Sequence, residues 1–149
     1  MPTSTSLVKK ILVMSEIKPG ETLYDLGSGD GRLVIAAAKD FGAIAIGIEI
    51  DPFRVLYSRL KISRLRLDDK AKIVRRNFFD VDLRDADVVV VFLLKETMNN
   101  LQSKLERELA PNSRVVSELF QFDGLEVVNS DDIAKIYVYR PRAAAQHPQ

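Results

Sequence analysis

Gly27, Gly29 and Gly31 alternate with Ser28 and Asp30 directly after the strand-like Leu23-Tyr24-Asp25-Leu26, and Glu49 follows Gly27 by 22 residues. Glycines at this spacing let the backbone turn sharply and approach a ligand with no Cβ in the way. The helix that follows turns its positive end toward that ligand. The spacing GxGxG is one residue shorter than the GxGxxG of the dinucleotide fingerprint, which favours S-adenosylmethionine over NAD.

Each flanking residue has a task in that chemistry. Backbone from Gly27 through Ser28 and Gly29 to Gly31 would line the methionine part of S-adenosyl-L-methionine. Asp25 is placed to orient its ammonium group, directly or through water. Glu49, at the end of a second strand and beside Ile50, can accept hydrogen bonds from both ribose hydroxyls, and its charge would repel the phosphorylated ribose of NADP. Further on, Asn77 could meet the adenine amino group and Phe78 could pack on the adenine face. Phe78 and Phe79 taken alone read more readily as core than as cofactor contacts, and a glycine loop alone occurs in several classes of nucleotide binder. Glu49 at its distance and strand favours the methyl donor among them.

These residues require an open parallel sheet, because such sheets bind ligands at the carboxyl ends of their strands. Residues 6–17 read as an amphipathic helix with Leu7, Val8, Ile11 and Met14 on one face and Ser4, Thr5 or Ser6 as cap. Strands are expected at 22–26, 43–50, 71–79, 87–94 and 113–120, and helices at 32–40, 52–67 and 97–110. Met98, Leu101, Leu105 and Leu109 mark the last helix. Two strands, 124–128 and 133–140, would form a terminal antiparallel hairpin around Asn129-Ser130-Asp131-Asp132. The fold is thus α/β: a doubly wound, mostly parallel, Rossmann-like sheet with a C-terminal hairpin. The 149 residues are expected to form a single domain, with residues 143–149 a frayed tail.

Composition narrows the function. With 46% apolar and 29% charged residues the chain is globular, and no apolar run approaches the roughly 20 residues of a membrane span. No signal peptide is visible, so a cytoplasmic protein is expected. Without cysteine there is no thiolate chemistry, and no His or carboxylate cluster suggests a metal. His147, the one histidine, lies in the expected tail. Residues 1–76 hold 14 basic and 9 acidic side chains, against 8 and 12 in residues 77–149. The excess lies between Arg54 and Arg76, either a solvated helix face or a docking surface for an acidic partner.

YDLGSGDGRL followed by GIEID is similar to the motifs of class I S-adenosylmethionine-dependent methyltransferases. NFFDVDLRDADVVVVFLL followed by LQSKLERELAPNSRVVSELF resembles, more specifically, the small archaeal protein lysine methyltransferases of broad specificity, relatives of mitochondrial enzymes. The likeness spans roughly residues 2–122. It implies a cofactor site at Asp25, Gly27, Gly29, Gly31, Glu49 and Asn77, and a segment at Pro2-Thr3 that closes over the cofactor. The sequence given starts at that Pro-Thr match, without the aromatic-rich lead-in common in the family.

At the end of the fourth strand, enzymes acting on planar amines commonly carry an Asn/Asp-Pro-Pro-aromatic turn, whereas this chain has Phe92-Leu93-Leu94-Lys95-Glu96. An apolar slot of Phe92 and Leu93 would instead favour the neutral form of a lysine amine, and positioning would do the rest without a dedicated base. Glu118 could guide the incoming cation, or be an ordinary strand-end carboxylate. The expectation is therefore a monomeric enzyme methylating exposed lysines of protein substrates. The alternatives are an RNA methyltransferase, resting on the basic stretch, and a non-catalytic cofactor-binding partner subunit. The absence of an appended RNA-binding domain weighs against RNA.

Overall fold

The computed structural model describes residues 5–141. Seven strands form one sheet in the order β3-β2-β1-β4-β5-β7-β6. These are β1 Thr22–Leu26, β2 Ile44–Glu49, β3 Ala71–Arg75, β4 Val88–Val91, β5 Arg114–Glu118, β6 Glu126–Asp131 and β7 Ile136–Arg140. The first five are parallel, and β7 runs antiparallel between β5 and β6. Helices α1 Thr5–Ser15, α2 Arg32–Phe41, α3 Pro52–Arg64 and α4 Lys95–Glu108 complete the fold. Among the described residues, no helix is long and apolar enough to cross a membrane.

Side-chain alternation along the strands divides the core in two. Leu23, Ala45, Ile73, Val88, Val90, Val116 and Val138 face α1, α2 and α3, where Ile11, Leu12, Val34, Ala37, Val55 and Ile62 cover them. Tyr24, Leu26, Ile48, Val89, Val91, Val115 and Tyr139 face α4, with Met98, Leu101 and Leu105, together with Leu83 and Phe122 from loops. The expected α/β sheet and its terminal hairpin are both present.

Several boundaries differ from the sequence reading, each for a local reason. Strand β3 ends at Arg75 instead of Phe79, because the Asn77 side chain accepts a hydrogen bond from Phe79 N (3.0 Å) and turns the chain into a 3-10 turn at Phe78–Asp80. Strand β4 ends at Val91, and the apolar Phe92 to Leu94 lead out of the sheet into α4. The hairpin turn lies at residues 132–135, three positions later than expected, held where Asp131 Oδ1 accepts from Ile133 N and Ala134 N. The buried face of α1 is Val8, Ile11 and Leu12, so Leu7 and Met14 are only partly covered. Thr5 and Ser6 are helical and do not precede α1 as caps. Ser4, Thr3, the expected tail and His147 lie outside the described residues.

Candidate functional site

The glycine loop leaves β1 at the carboxyl edge of the sheet. Gly27, Gly29 and Gly31 have φ of 83°, 59° and 82°, a region that costs any residue with a Cβ. Gly27 N and Ser28 N both donate to Ile48 O, at 2.8 and 3.0 Å, so the pairing of β1 with β2 runs on into the loop. From below, the Ser58 hydroxyl of α3 donates to Gly29 O at 3.1 Å.

Glu49 holds the other side. Its Oε1 accepts from Gly29 N (2.7 Å) and its Oε2 from Asp51 N (3.0 Å), in a buried position. The carboxylate thus braces the loop it was expected to accompany. Each oxygen keeps a further lone pair for another donor.

Asp25 is buried on β1, and its Oδ1 has no hydrogen-bond partner. Burial pushes its carboxyl up to about 7, and the nearby charges of Glu49 and Asp30 add to that. The Ser28 hydroxyl is likewise buried and unpartnered. Orphaned polar atoms of this kind are costly and point to a missing donor or acceptor. A cation beside Asp25 would satisfy the first of them. Asp30 is different: burial works against its charge, but the Arg32 guanidinium outweighs this with bonds down to 2.8 Å and holds it low.

Phe92 and Leu93, at the end of β4, are partly buried, and Leu93 Cδ2 comes within 3.9 Å of the position a Cβ on Gly27 would take. Leu93 therefore borders the glycine loop and packs with the α4-side core, while Phe92 packs with the core on the other face of the sheet. Glu118 ends β5, the next strand over, and burial raises its carboxyl above the ordinary range. Asn77 is exposed, Phe78 packs partly on the α4-side core, and Ile50 presents an exposed side chain. Ile50 follows the end of β2, and Asn77 and Phe78 follow the end of β3, the strand on the far side of β2 from β1. A cavity of about 490 Å³ lies between α1 and α2, lined by Val8, Lys9, Arg32, Ala36 and Phe41 among others. Among the described residues, none predicted to bind cofactor lines it.

Comparison with known proteins decides the family. The ANTKMT methyltransferase domain matches residues 25–129, from the buried aspartate into the first strand of the hairpin. This chain belongs to that family. A protein-lysine N-methyltransferase of Saccharolobus islandicus is 40% identical over 89% of this chain and 84% of its own length. The adenine nucleotide translocase lysine N-methyltransferase of Mus musculus is 37% identical over 78% of the chain, which spans about half (51%) of that relative. Among solved structures, an RNA methyltransferase from Salinibacter ruber in complex with S-adenosyl-L-homocysteine superposes with a TM-score of 0.88, at 34% identity, covering 95% of this chain and 92% of that one.

Two residues of this ANTKMT-type site escape a sequence reading. Gly47, within β2, faces Ser28: a Cβ there would stand 2.7 Å from Ser28 Cβ and Oγ and from Ile73 Cδ1. Ser58 fills the space beneath Gly31. The one available signal was glycine in the middle of an otherwise apolar strand, which marks a close backbone approach.

Proposed function

We propose that this chain transfers the methyl group of S-adenosyl-L-methionine to the side-chain amine of lysine residues in proteins. The observation that carries the reading is the buried, unpartnered Asp25 beneath three left-handed glycines, in a chain 40% identical to a protein-lysine N-methyltransferase. The bound cofactor supplies an electrophilic methyl group on a positively charged sulfur.

The chain's own residues do the remainder. Asp25 pairs with the ammonium of the methionine part, which the Gly27, Ser28, Gly29 and Gly31 backbone borders. Glu49 keeps the loop in place through Gly29 N and offers its remaining lone pairs to the ribose hydroxyls. Ile50, Asn77 and Phe78 frame the adenine. Glu118 draws the lysine cation toward the strand ends. Phe92 and Leu93 strip water from it, lowering its pKa so that the proton leaves to solvent and the lone pair is free. The position where a planar amine would need a polar turn holds Phe92, Leu93 and the exposed Leu94.

Purified protein with radiolabelled cofactor should mark lysines on several proteins of a cell lysate, located by mass spectrometry. Glu49→Ala, which deprives Gly29 N and Asp51 N of their acceptor, should weaken cofactor binding at least tenfold by calorimetry, about 1.4 kcal/mol. The similarity to the Salinibacter ruber RNA methyltransferase and the basic stretch favour RNA as a second reading. Label confined to RNA in the same lysate would replace lysine with it.

A further inference from the structure

Helix α3 buries Val55, Ser58 and Ile62 against the sheet, yet its outer side is also apolar. Phe53, Leu56, Tyr57 and Leu60 are 81%, 58%, 55% and 51% exposed. Their spacing of i, i+3, i+4 and i+7 draws one stripe along the helix. Neither α2 nor α4 carries a large apolar side chain exposed in this way. A stripe of large apolar groups on an outward helix face marks a binding surface.

Charge says what kind. The helix sequence PFRVLYSRLKISR contains no acidic residue. Arg59 spends its guanidinium on Ile73 O, at 2.9 Å, while Arg54, Lys61 and Arg64 flank the stripe. A second copy packed helix against helix would set these cations against their own images, so self-association is disfavoured. An anionic bilayer would be attracted by the same cations, but Asp51 at the start of the helix would meet that surface as well. A protein can place its carboxylates opposite the cations alone. The face also borders the site: Lys61 helps hold Asp30 of the glycine loop ionised, and the Ser58 hydroxyl on the inner side bonds Gly29 O.

We propose that the outer face of α3 docks the substrate protein, through a surface in which a short apolar ridge is flanked by Asp or Glu. This rests on the protein-lysine reading above. Docking here fixes the acceptor at a distance from the strand ends, so broad choice of lysines is compatible with selection of the proteins that carry them.

The test uses the full chain and the most strongly labelled lysate protein, purified as acceptor. Two variants are compared with the unmodified chain: Leu56→Ser with Leu60→Ser, and Arg54→Glu with Arg64→Glu. Both pairs lie on the surface, and unchanged circular dichroism and cofactor affinity serve as controls. The expected result is a KM for the acceptor raised about tenfold or more in each pair, with kcat at saturation unchanged. In the unmodified chain that KM should also rise with salt, and this dependence should flatten in the charge-reversed pair. Unchanged KM in both pairs overturns the proposal. So does unchanged KM accompanied by lost adsorption to phosphatidylglycerol vesicles, lost retention of RNA, or a smaller sedimenting species, each of which gives the face to another occupant. If the unmodified chain labels no lysine, the functional reading falls and the docking face with it; if it labels and the variants match it, only the docking face falls.

Discussion

Asp25 is a buried carboxyl with no donor on Oδ1. Its folded-state pKa of about 7 stands above the ordinary 3.8, so the folded protein holds that proton more tightly than the unfolded chain does. Stability contributed by protonated Asp25 is therefore fully present below about pH 4 and lost as pH rises toward 7. The cofactor-free protein should show a melting temperature that falls across this window from this source, and Asp25→Asn should remove that component. Binding moves the other way, because pairing with an ammonium needs the ionised carboxylate. Affinity should rise as pH passes through about 7, then weaken as the ligand's own amine loses its proton near about 8. Asp25→Asn should cost about tenfold to a hundredfold in affinity, the worth of a charge-assisted bond. Gly47 offers a second test. In Gly47→Ala the added methyl meets Ser28 and Ile73 at 2.7 Å, so β2 or the loop must shift. A loss of about 1–3 kcal/mol by urea unfolding is expected, with a larger fall in cofactor affinity because Ser28 belongs to the loop.

Among the elements, the link from β5 to the hairpin has no helix to steady it, and a buried hydroxyl takes that role. Tyr139 on β7 exchanges a hydrogen bond with Ser117 Oγ at 2.9 Å and accepts one from Phe122 N at 3.1 Å, while its ring meets Phe122 edge-on. Ser117 Oγ also bonds Phe120 O. These contacts fix the chain immediately after Glu118, where Leu119 takes φ of 76°. Tyr139→Phe should lower stability by about 1–2 kcal/mol in denaturant titration. It should also raise amide exchange at residues 119–122 more than elsewhere, since a core left otherwise intact keeps its protection.

At the scale of the whole molecule, Arg114 at the start of β5 ties the first helix to the sheet. Its guanidinium donates to Ser15 O, Glu16 O and the Glu21 carboxylate, at 2.7 to 3.3 Å. The Arg114 hydrogen bond lowers the Glu21 carboxyl below its usual range despite partial burial, so this pair stabilises above the ordinary carboxylate range and the contribution fades as pH falls through the depressed value. Arg114→Ala should cost about 2 kcal/mol, between an exposed pair and a buried one, and should flatten the acid limb of the stability curve. Much of this architecture was legible in the chain. Strand β1 begins and ends where it was expected, at Thr22 and Leu26, because buried apolar residues there are bounded by Gly20 and Gly27. The glycine loop, the mostly parallel sheet and three apolar positions of α4, Met98, Leu101 and Leu105, followed from periodicity and spacing, which are local properties. The edge strand β6 defeated that reading: Glu126 to Ser130 are exposed, so no burial pattern distinguishes strand from turn. Asn77 looked like a strand end and proved to be the cap that ends the strand, through a bond two residues away. What tertiary structure alone decided is the content of the site. Glu49 braces Gly29, Gly47 makes room for Ser28, Ser58 seals the loop from below, and Asp25 is left without a donor. Each depends on which strands become neighbours, and burial and pairing across strands are not encoded in the spacing of any one segment.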